Sequence, residues 1–552
     1  MRAILLGFAA AFLVATLAPA ASAQWPAFHN DARKTGTVSP STYGVYKDIW
    51  WTIPVNNSAA IEASPVVDDG VVVTGDWIGI LRAFDQSNGH QLWAVNFAES
   101  IISTPAIAGG RVYAVDTAGN LRAYDLHTGA KLAEVKTGRT VAPITIHEGK
   151  LFLGDESGVM RAFDTQYLST LWSFQLNQVG LEELAPPREK CNNDARTPNR
   201  AIRSGVVVYE DQVIFGTLNN FVYSVNEHGN PDGSTNVQWI FQTGDIVWAT
   251  PTVDVAHGRV IVGSYDQHVY AFDAKPANAG KAACFGLMHK PVWNTTIPAG
   301  SIGLSKVHSS PATDGERVYF GTNGGQIHAI DAASGTRLWH TNVTEAVIAS
   351  PAVANGTVVV GSDDRYVYWI AANNGTIMRK FLTDGQVKAS PAIDGKYAVV
   401  SSFAGSTYLF GPEIPKRPDL QVTLVSYVDG LISATITNSG TAASTAAQAR
   451  VLVDGSLVGD VALPPIEPGA TTTVTSAFEL NAGPHTITVQ ADIGKQVTES
   501  KEDNNDGAQP VTVGGGTSGK KKDKGFLGIP GPGVPLLVVG LGLAVVALRK
   551  KQ

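Results

Sequence analysis

Glu62, Trp248, His308 and Lys388 each stand three residues ahead of a proline that recurs along the chain. The other members of this series are Ile102, Thr140, Ile202 and Ile348, so half of the positions depart from an apolar preference. A carboxylate, an indole, an imidazole and an ammonium around one mouth would form a ligand ring, with one contact from each repeat. The plain alternative is that lead-in positions next to solvent accept any residue. A second set, Asp76, Asp116, Asp266 and Asp364, falls in short polar turns, with Trp77, Asp155, Glu156 and Asp363 in equivalent stretches. Several carboxylates facing one opening could hold Ca2+ or a cationic ligand. The same residues are what tight turns demand, because an Asp side chain bonds its own backbone two residues on.

Patterns for catalysis are otherwise missing. The sequence has no Gly-x-Ser-x-Gly elbow, no phosphate loop and no His-Glu-x-x-His. Its histidines are scattered, and no two stand at metal-ligand spacing. No catalytic residue and no metal site is therefore assigned.

The elements that would position these side chains come from a repeat. Ser64-Pro65, Thr104-Pro105, Ala142-Pro143, Thr250-Pro251, Ser310-Pro311, Ser350-Pro351 and Ser390-Pro391 each precede a short apolar run, with prolines 40, 38, 108, 60, 40 and 40 apart. The gap of 108 holds one degenerate copy at Arg203-Ser204-Gly205-Val206, giving eight repeats. The repeats continue into a second strand, a Gly/Asp/Asn turn, a third strand that ends in Asp, as at Asp85 and Asp331, and a fourth with Leu-Trp, as at Leu92-Trp93 and Leu338-Trp339. Four short strands every ~40 residues predict a propeller blade. The eighth copy stops at Gly411 after three strands, and Asp48-Ile49-Trp50-Trp51-Thr52-Ile53 has a fourth-strand pattern without its first three. Joining the two closes the ring and hides the open edges.

The motif Ala83-Phe84-Asp85, Gly89, Trp93 recurs at Ala329, Asp331, Gly335 and Trp339, and it is similar to the tryptophan-docking motif of the pyrroloquinoline-quinone (PQQ) repeat family. Trp25-Pro26-Ala27-Phe28-His29-Asn30-Asp31 likewise resembles the lead-in of surface PQQ-like repeat proteins. The resemblance covers residues 24–411 and implies a fold in which the Trp stacks between blades. Some relatives so implied are quinone- and Ca2+-dependent dehydrogenases, many with two adjacent cysteines on the quinone. Here Cys191 and Cys284 are 93 residues apart and no CxxCH haem motif is present, so no cofactor is expected and catalysis by PQQ with Ca2+ is the second alternative. Each cysteine lies in an insertion, residues 177–201 or 274–291. An even pair in an exported chain allows a disulfide, whereas loops leaving opposite faces of a blade would hold the thiols beyond bonding reach. Both readings stay open.

After a proline-rich linker (412–418), residues 419–513 alternate with period two and predict a small immunoglobulin-like sandwich. Ile436-Thr437-Asn438-Ser439-Gly440, Pro468-Gly469 and Glu499-Ser500-Lys501-Glu502-Asp503-Asn504-Asn505 are similar to the cell-adhesion-related bacterial domain CARDB. Residues 514–525 are a Gly/Ser/Lys stalk.

The ends carry targeting signals. Arg2, an apolar run and Ala21-Ser22-Ala23 form the parts of a signal peptide over residues 1–23. Residues 526–548 are long and apolar enough to span a bilayer, and the basic tail 549–552 favours the cytoplasmic side. The arrangement resembles sorting tails of surface proteins. Net charge is −7; the segment from Lys520 onward carries +6 and Arg2 +1, which leaves −14 on residues 24–519. A body that acidic is a poor match for nucleic acid.

The fold expected is thus all-β: an eight-bladed propeller, an immunoglobulin-like sandwich and a C-terminal transmembrane helix. The function expected is a non-enzymatic, monomeric cell-surface binding or adhesion protein, exported and anchored in the cytoplasmic membrane with its body outside. Its expected partner is a surface polysaccharide or envelope protein. The first alternative is a scaffold for envelope-protein assembly, similar to the propeller lipoproteins of bacterial outer-membrane assembly.

Overall fold

The computed structural model describes residues 25–31, 33–38, 48–54, 59–176, 200–274, 289–412, 417–493, 497 and 504–513. The expected signal segment, stalk, anchor and tail, and both Cys191 and Cys284, lie outside the described residues. Among the described residues no helix is long and apolar enough to cross a membrane. The chain divides into two compact units, Met1–Ile414 and Pro415–Gln552.

The first unit contains eight sheets, each built on four antiparallel blade strands, and Thr37–Val38 adds a parallel fifth strand to the seventh. Blade 1 consists of Val66–Asp68, Val71–Gly75, Ile80–Asp85 and Gln91–Asn96. Blades 2 to 7 repeat this plan over residues 106–136, 145–175, 206–242, 252–296, 312–342 and 352–382. Blade 8 takes its first three strands from residues 392–411, and Asp48–Pro54 pairs antiparallel with Ser406–Gly411 as its fourth. The first strand of every blade packs on that of the next, and the eighth packs on the first, which closes the ring.

Local chemistry explains the blade. In blade 1 the first hairpin turns through Asp69 and Gly70 at φ 46° and 72°, a left-handed pair whose twist matches the flanking strands. Val71, Val72 and Val73 are all buried, so the second strand is covered on both faces. The fourth strand exposes Leu92 while Trp93 turns inward. The Trp93 Nε1–H donates to Leu126 O of blade 2 at 2.8 Å, and a Cβ on Gly129 would lie 2.7 Å from its ring. Trp51 of blade 8 donates likewise to Gln86 O of blade 1 at 2.8 Å and lies over Gly89. These indoles are therefore joints between blades.

The second unit has two sheets. One contains Leu420–Val428, Leu431–Asn438 and Thr471–Ala477; the other contains Ala447–Val453, Ser456–Leu463, Gly483–Gln490 and Asp506–Val513. Alternate residues such as Ile432, Ile436, Val451, Ile487 and Val489 form its core, the pattern of a sandwich.

Candidate functional site

Residues 25–31 and 33–38 bond opposite sides of the ring. Trp25 exchanges backbone hydrogen bonds with Val67 of blade 1 (2.9 and 2.8 Å), and Ile107 N of blade 2 donates to Pro26 O at 2.6 Å. At the other end, Val253 N, Thr313 N and Val353 N of blades 5, 6 and 7 donate to Arg33, Thr35 and Gly36 carbonyls at 2.9, 2.8 and 2.7 Å. Blades 1 and 5 lie on opposite sides of an eight-membered ring, so the segment must pass over the axis. Its Phe28 lines the axial cavity, which measures about 120 Å³. We call the face on which the first strands begin the upper face; the segment bonds the far ends of those strands, so the cavity is a cup that opens upward.

Eight residues, one from each blade, ring the cup: Glu62, Ile102, Val141, Arg203, Trp248, His308, Ile348 and Lys388. Glu62, Trp248, His308 and Lys388 are thus brought together as the spacing predicted. Thr140 and Ile202 are not among them; they are 1% and 0% exposed, and Val141 and Arg203 take their places. The reason is a register slip in the marker. Each first strand ends in a hairpin, and counting six residues back from its last residue reaches Glu62 from Asp68, Val141 from His147 and Arg203 from Tyr209. Pro143 accordingly occupies the place that Ser64 holds in blade 1.

A second ring, of which the sequence reading named Trp77, Glu156 and Asp363, is set by the turns between second and third strands. The backbone N–H groups of Trp77, Thr117, Glu156, Leu218, Tyr265, Asn323, Asp363 and Phe403 each donate to a carbonyl in the loop leading to their own blade, at 2.7–3.0 Å. Three of these residues reach the lead-in residue of the next blade. Glu156 accepts two bonds from Arg203 at 2.7 and 3.0 Å, and Asp363 accepts from Lys388 at 3.2 Å. Tyr265 lies 2.5 Å from His308 Nδ1. Trp77 Nε1 donates to Glu62 at 3.2 Å within blade 1. Trp248 is held between the Arg203 guanidinium, 4.7 Å from its ring centre, and the His308 imidazole at 4.9 Å. Burial pushes the Glu62 and Asp363 carboxyls up, opposed by Lys388. It lowers His308 to about 4, with Lys388 adding to the shift.

Below the mouth runs a girdle of hydroxyls. Gly205 N, Thr250 N, Ser310 N, Ser350 N, Ser390 N and Ser64 N each donate to the hydroxyl of Thr250, Ser310, Ser350, Ser390, Ser64 and Thr104 respectively, at 2.7–3.2 Å. The chain of bonds crosses six blade boundaries and stops at Pro143, which offers neither an N–H nor a hydroxyl.

The turn carboxylates Asp76, Asp116, Asp266 and Asp364 do not line the cup. Asp76 accepts from Ile78 N and Ile80 N at 3.1 and 2.8 Å and pairs with Arg82. Asp116 holds Asn120, Asp266 the Tyr270 hydroxyl and Asp364 the Tyr368 hydroxyl. Their oxygens are engaged in their own turns and blades. Away from the cup, His147, Glu148 and Glu227 form one cluster with metal-ligand geometry, and Asp211, Glu227 and His228 another. Sequence spacing gave no signal for either, because each joins residues of blades 3 and 4 or of separate turns. Lys150 already bonds Glu227 at 2.9 Å and lies 3.2 Å from His228.

A closed eight-bladed ring with indoles as joints and an axial cup defines a propeller of the PQQ-repeat class. Comparison with known proteins narrows this. The family model described as outer membrane protein assembly factor BamB matches residues 47–137, 79–278 and 289–407, and the chain belongs to that family. The CARDB model matches residues 417–509. The BamB of Shewanella oneidensis is 22% identical over 360 residues, covering 62% of this chain and 82% of its own. The structure of BamB from Moraxella catarrhalis aligns with a TM-score of 0.50 at 16% identity, over 66% of this chain and 99% of that one. A quinohemoprotein alcohol dehydrogenase from Pseudomonas putida HK5 aligns with a TM-score of 0.56 at 14% identity, over 73% and 83%. At such identities these structures share the fold alone.

Proposed function

We propose that the propeller is a non-catalytic scaffold that holds other envelope polypeptides on its upper face during outer-membrane protein assembly. Family membership favours this reading over the adhesion head expected first. The observation that carries it is a pair of exposed apolar anchors on the upper face. Trp77 and Ile78 in the blade 1 turn are 42% and 49% exposed, and Ile302 and Leu304, in the loop leading to blade 6, are 46% and 57% exposed. Each pair offers an apolar anchor beside a polar mouth, and a few such anchors carry most of the energy of protein–protein contacts. Export, a membrane tether at residues 526–548 and the CARDB module as a spacer belong to the same proposal.

The lining does not fit PQQ with Ca2+. It supplies one carboxylate, Glu62, already bonded to Trp77, where Ca2+ takes six to eight oxygens. No catalytic step through a quinone is derived.

The test is capture of chemically unfolded outer-membrane polypeptide by the full-length protein in detergent. Trp77→Ala combined with Leu304→Ala should reduce capture at least about tenfold, as expected when two anchor residues are truncated. Equal capture by parent and variant would refute the reading. Retention of a surface polysaccharide instead, with no polypeptide held, would restore the adhesion reading, which the CARDB match favours.

A further inference from the structure

The cup is lined by hydrogen-bond donors, and we propose that it binds a compact oxyanion, a phosphate- or carboxylate-type group, on the propeller axis. The girdle hydroxyls of Ser64, Thr104, Thr250, Ser310, Ser350 and Ser390 all line the cavity, and these residues are only 2–5% exposed. Each hydroxyl oxygen is already an acceptor for a backbone N–H of the preceding blade. A hydroxyl that accepts still has one proton to give, and no acceptor for these protons is found among the described residues. Around a single axis they form a ring of donors.

The mouth adds more. Trp248 Nε1–H has no partner among the described residues, and its ring is fixed on both sides by Arg203 and His308. Arg203 engages Glu156 through Nε and one terminal nitrogen, which leaves its second terminal nitrogen for a ligand. Glu156 has both oxygens engaged by Arg203, and Glu62 and Asp363 each have one, held by Trp77 and Lys388; the second Asp363 oxygen is buried without a partner among the described residues, but Asp363 lies outside the cavity lining. At the closed end the Lys34 amine is fully buried and donates to the carbonyl of Phe28, which places a further N–H donor group beneath the floor. A lining with many donors and few spare acceptors selects a ligand made of acceptors, and charge-assisted bonds from hydroxyl, indole and guanidinium to an oxyanion are the strong kind. The cavity of about 120 Å³ admits one such group with a few waters. The cup does not depend on the scaffold reading, since small anions and polypeptide clients are measured separately.

The experiment titrates inorganic phosphate, glycerol 3-phosphate, acetate and, as a neutral control, glycerol into the full-length protein in detergent, by calorimetry. Saturable binding of at least one anion and none of glycerol is expected; phosphate against glycerol 3-phosphate separates a free ion from an end group on a larger molecule. Trp248→Phe, which keeps the ring and removes the donor, should weaken the anion about tenfold. Val141→Trp, which fills the mouth without removing a donor, should abolish uptake while the melting temperature shows the ring intact. No saturable anion binding by the parent, equal binding of glycerol, or anion binding unchanged by Val141→Trp would each overturn the proposal.

Discussion

The Tyr265 hydroxyl donates to His308 Nδ1 across the boundary between blades 5 and 6, at 2.5 Å. The direction follows from the two acidities. Burial raises Tyr265 to about 12 and lowers His308 to about 4, so at neutral pH the phenol keeps its proton and the imidazole is a neutral acceptor. The same pair fixes the face on which the indole of Trp248 rests.

Acid should loosen the propeller. His308 sits at about 4, and His328, buried beside Phe320 and His340, at about 3, against 6.5 when unfolded. Both folded values are depressed, so the unfolded chain binds more protons between them and 6.5, and stability falls as pH falls below 6.5. At ~1.4 kcal/mol per unit, each accounts for up to about 2 kcal/mol by pH 5. Asp394, raised to about 6 from 3.8 by burial, works in the opposite direction over about pH 4–6, as do Glu62 and Asp363, whose carboxyls burial also raises; the fully buried His29, lowered to about 3, adds to the two histidines. Urea midpoints at pH 7.5 and 5.0 should therefore fall for the parent and fall less for His328→Gln. A midpoint higher at pH 5.0 would reverse the sign.

Lys34 should be a liability at neutral pH. It is fully buried, bonds one carbonyl, and burial lowers it to about 7 from 10.5. Stability then rises with pH from about 7 to 10.5, because the unfolded lysine keeps a proton that the folded one gives up. Lys34→Met leaves Phe28 O without its donor, a loss of ~1 kcal/mol, but removes a larger penalty for a buried charge. The variant should melt higher than the parent at pH 7, with the gap narrowing at pH 10. A lower melting temperature at both pH values would show that the ammonium stabilises the segment.

The indole joints should fail in proportion to what they touch. Trp93→Ala removes a buried ring and the bond to Leu126 O, a change of ~3–5 kcal/mol for a large aromatic. Gly129→Val approaches the same joint from the other side: its Cβ would lie 2.7 Å from Trp93, at φ 69°. Both variants should lower the denaturation midpoint, and Trp93→Phe should lower it less. An unchanged midpoint in Gly129→Val would show that the joint tolerates slack.

The repeat was legible because each blade buries the same strands with the same turns, so the chemistry recurs every ~40 residues. The fourth strand at Asp48–Pro54 was legible for the same reason: an indole and an apolar pattern without a blade need one. Less legible was the register of the mouth. The Ser-Pro marker slips by one residue at Pro143, and only the pairing of Thr145 with Phe152 and His147 with Lys150 shows that Val141 faces the axis. The segment over the axis could not be read at all. It bonds through backbone groups to strands as distant as Val353, and backbone bonds leave no trace in side-chain pattern. The turn residues Asp76, Asp116, Asp266 and Asp364 had two readings with identical sequence signals, and in the structure their oxygens serve the turns and blades.

The girdle gives the sharpest contrast between similar substitutions. Ser350 accepts from Ser310 N at 2.9 Å and is 3% exposed. Ser350→Ala strands a buried N–H, which costs ~1–3 kcal/mol. Ser350→Thr keeps the acceptor, and Thr104 and Thr250 already fill the same position in blades 2 and 5, so the extra methyl has precedent on this ring. Ser204, by contrast, lies beside the girdle position that Gly205 fills in blade 4 and bonds Gly216 N at 2.8 Å within that blade. Denaturation of Ser350→Ala should show the loss, and Ser350→Thr should fall within about 0.5 kcal/mol of the parent, the range of a mild change. If alanine and threonine destabilise equally, the methyl group and not the lost acceptor governs the site. If neither does, the hydroxyl ring follows from the fold without holding it together.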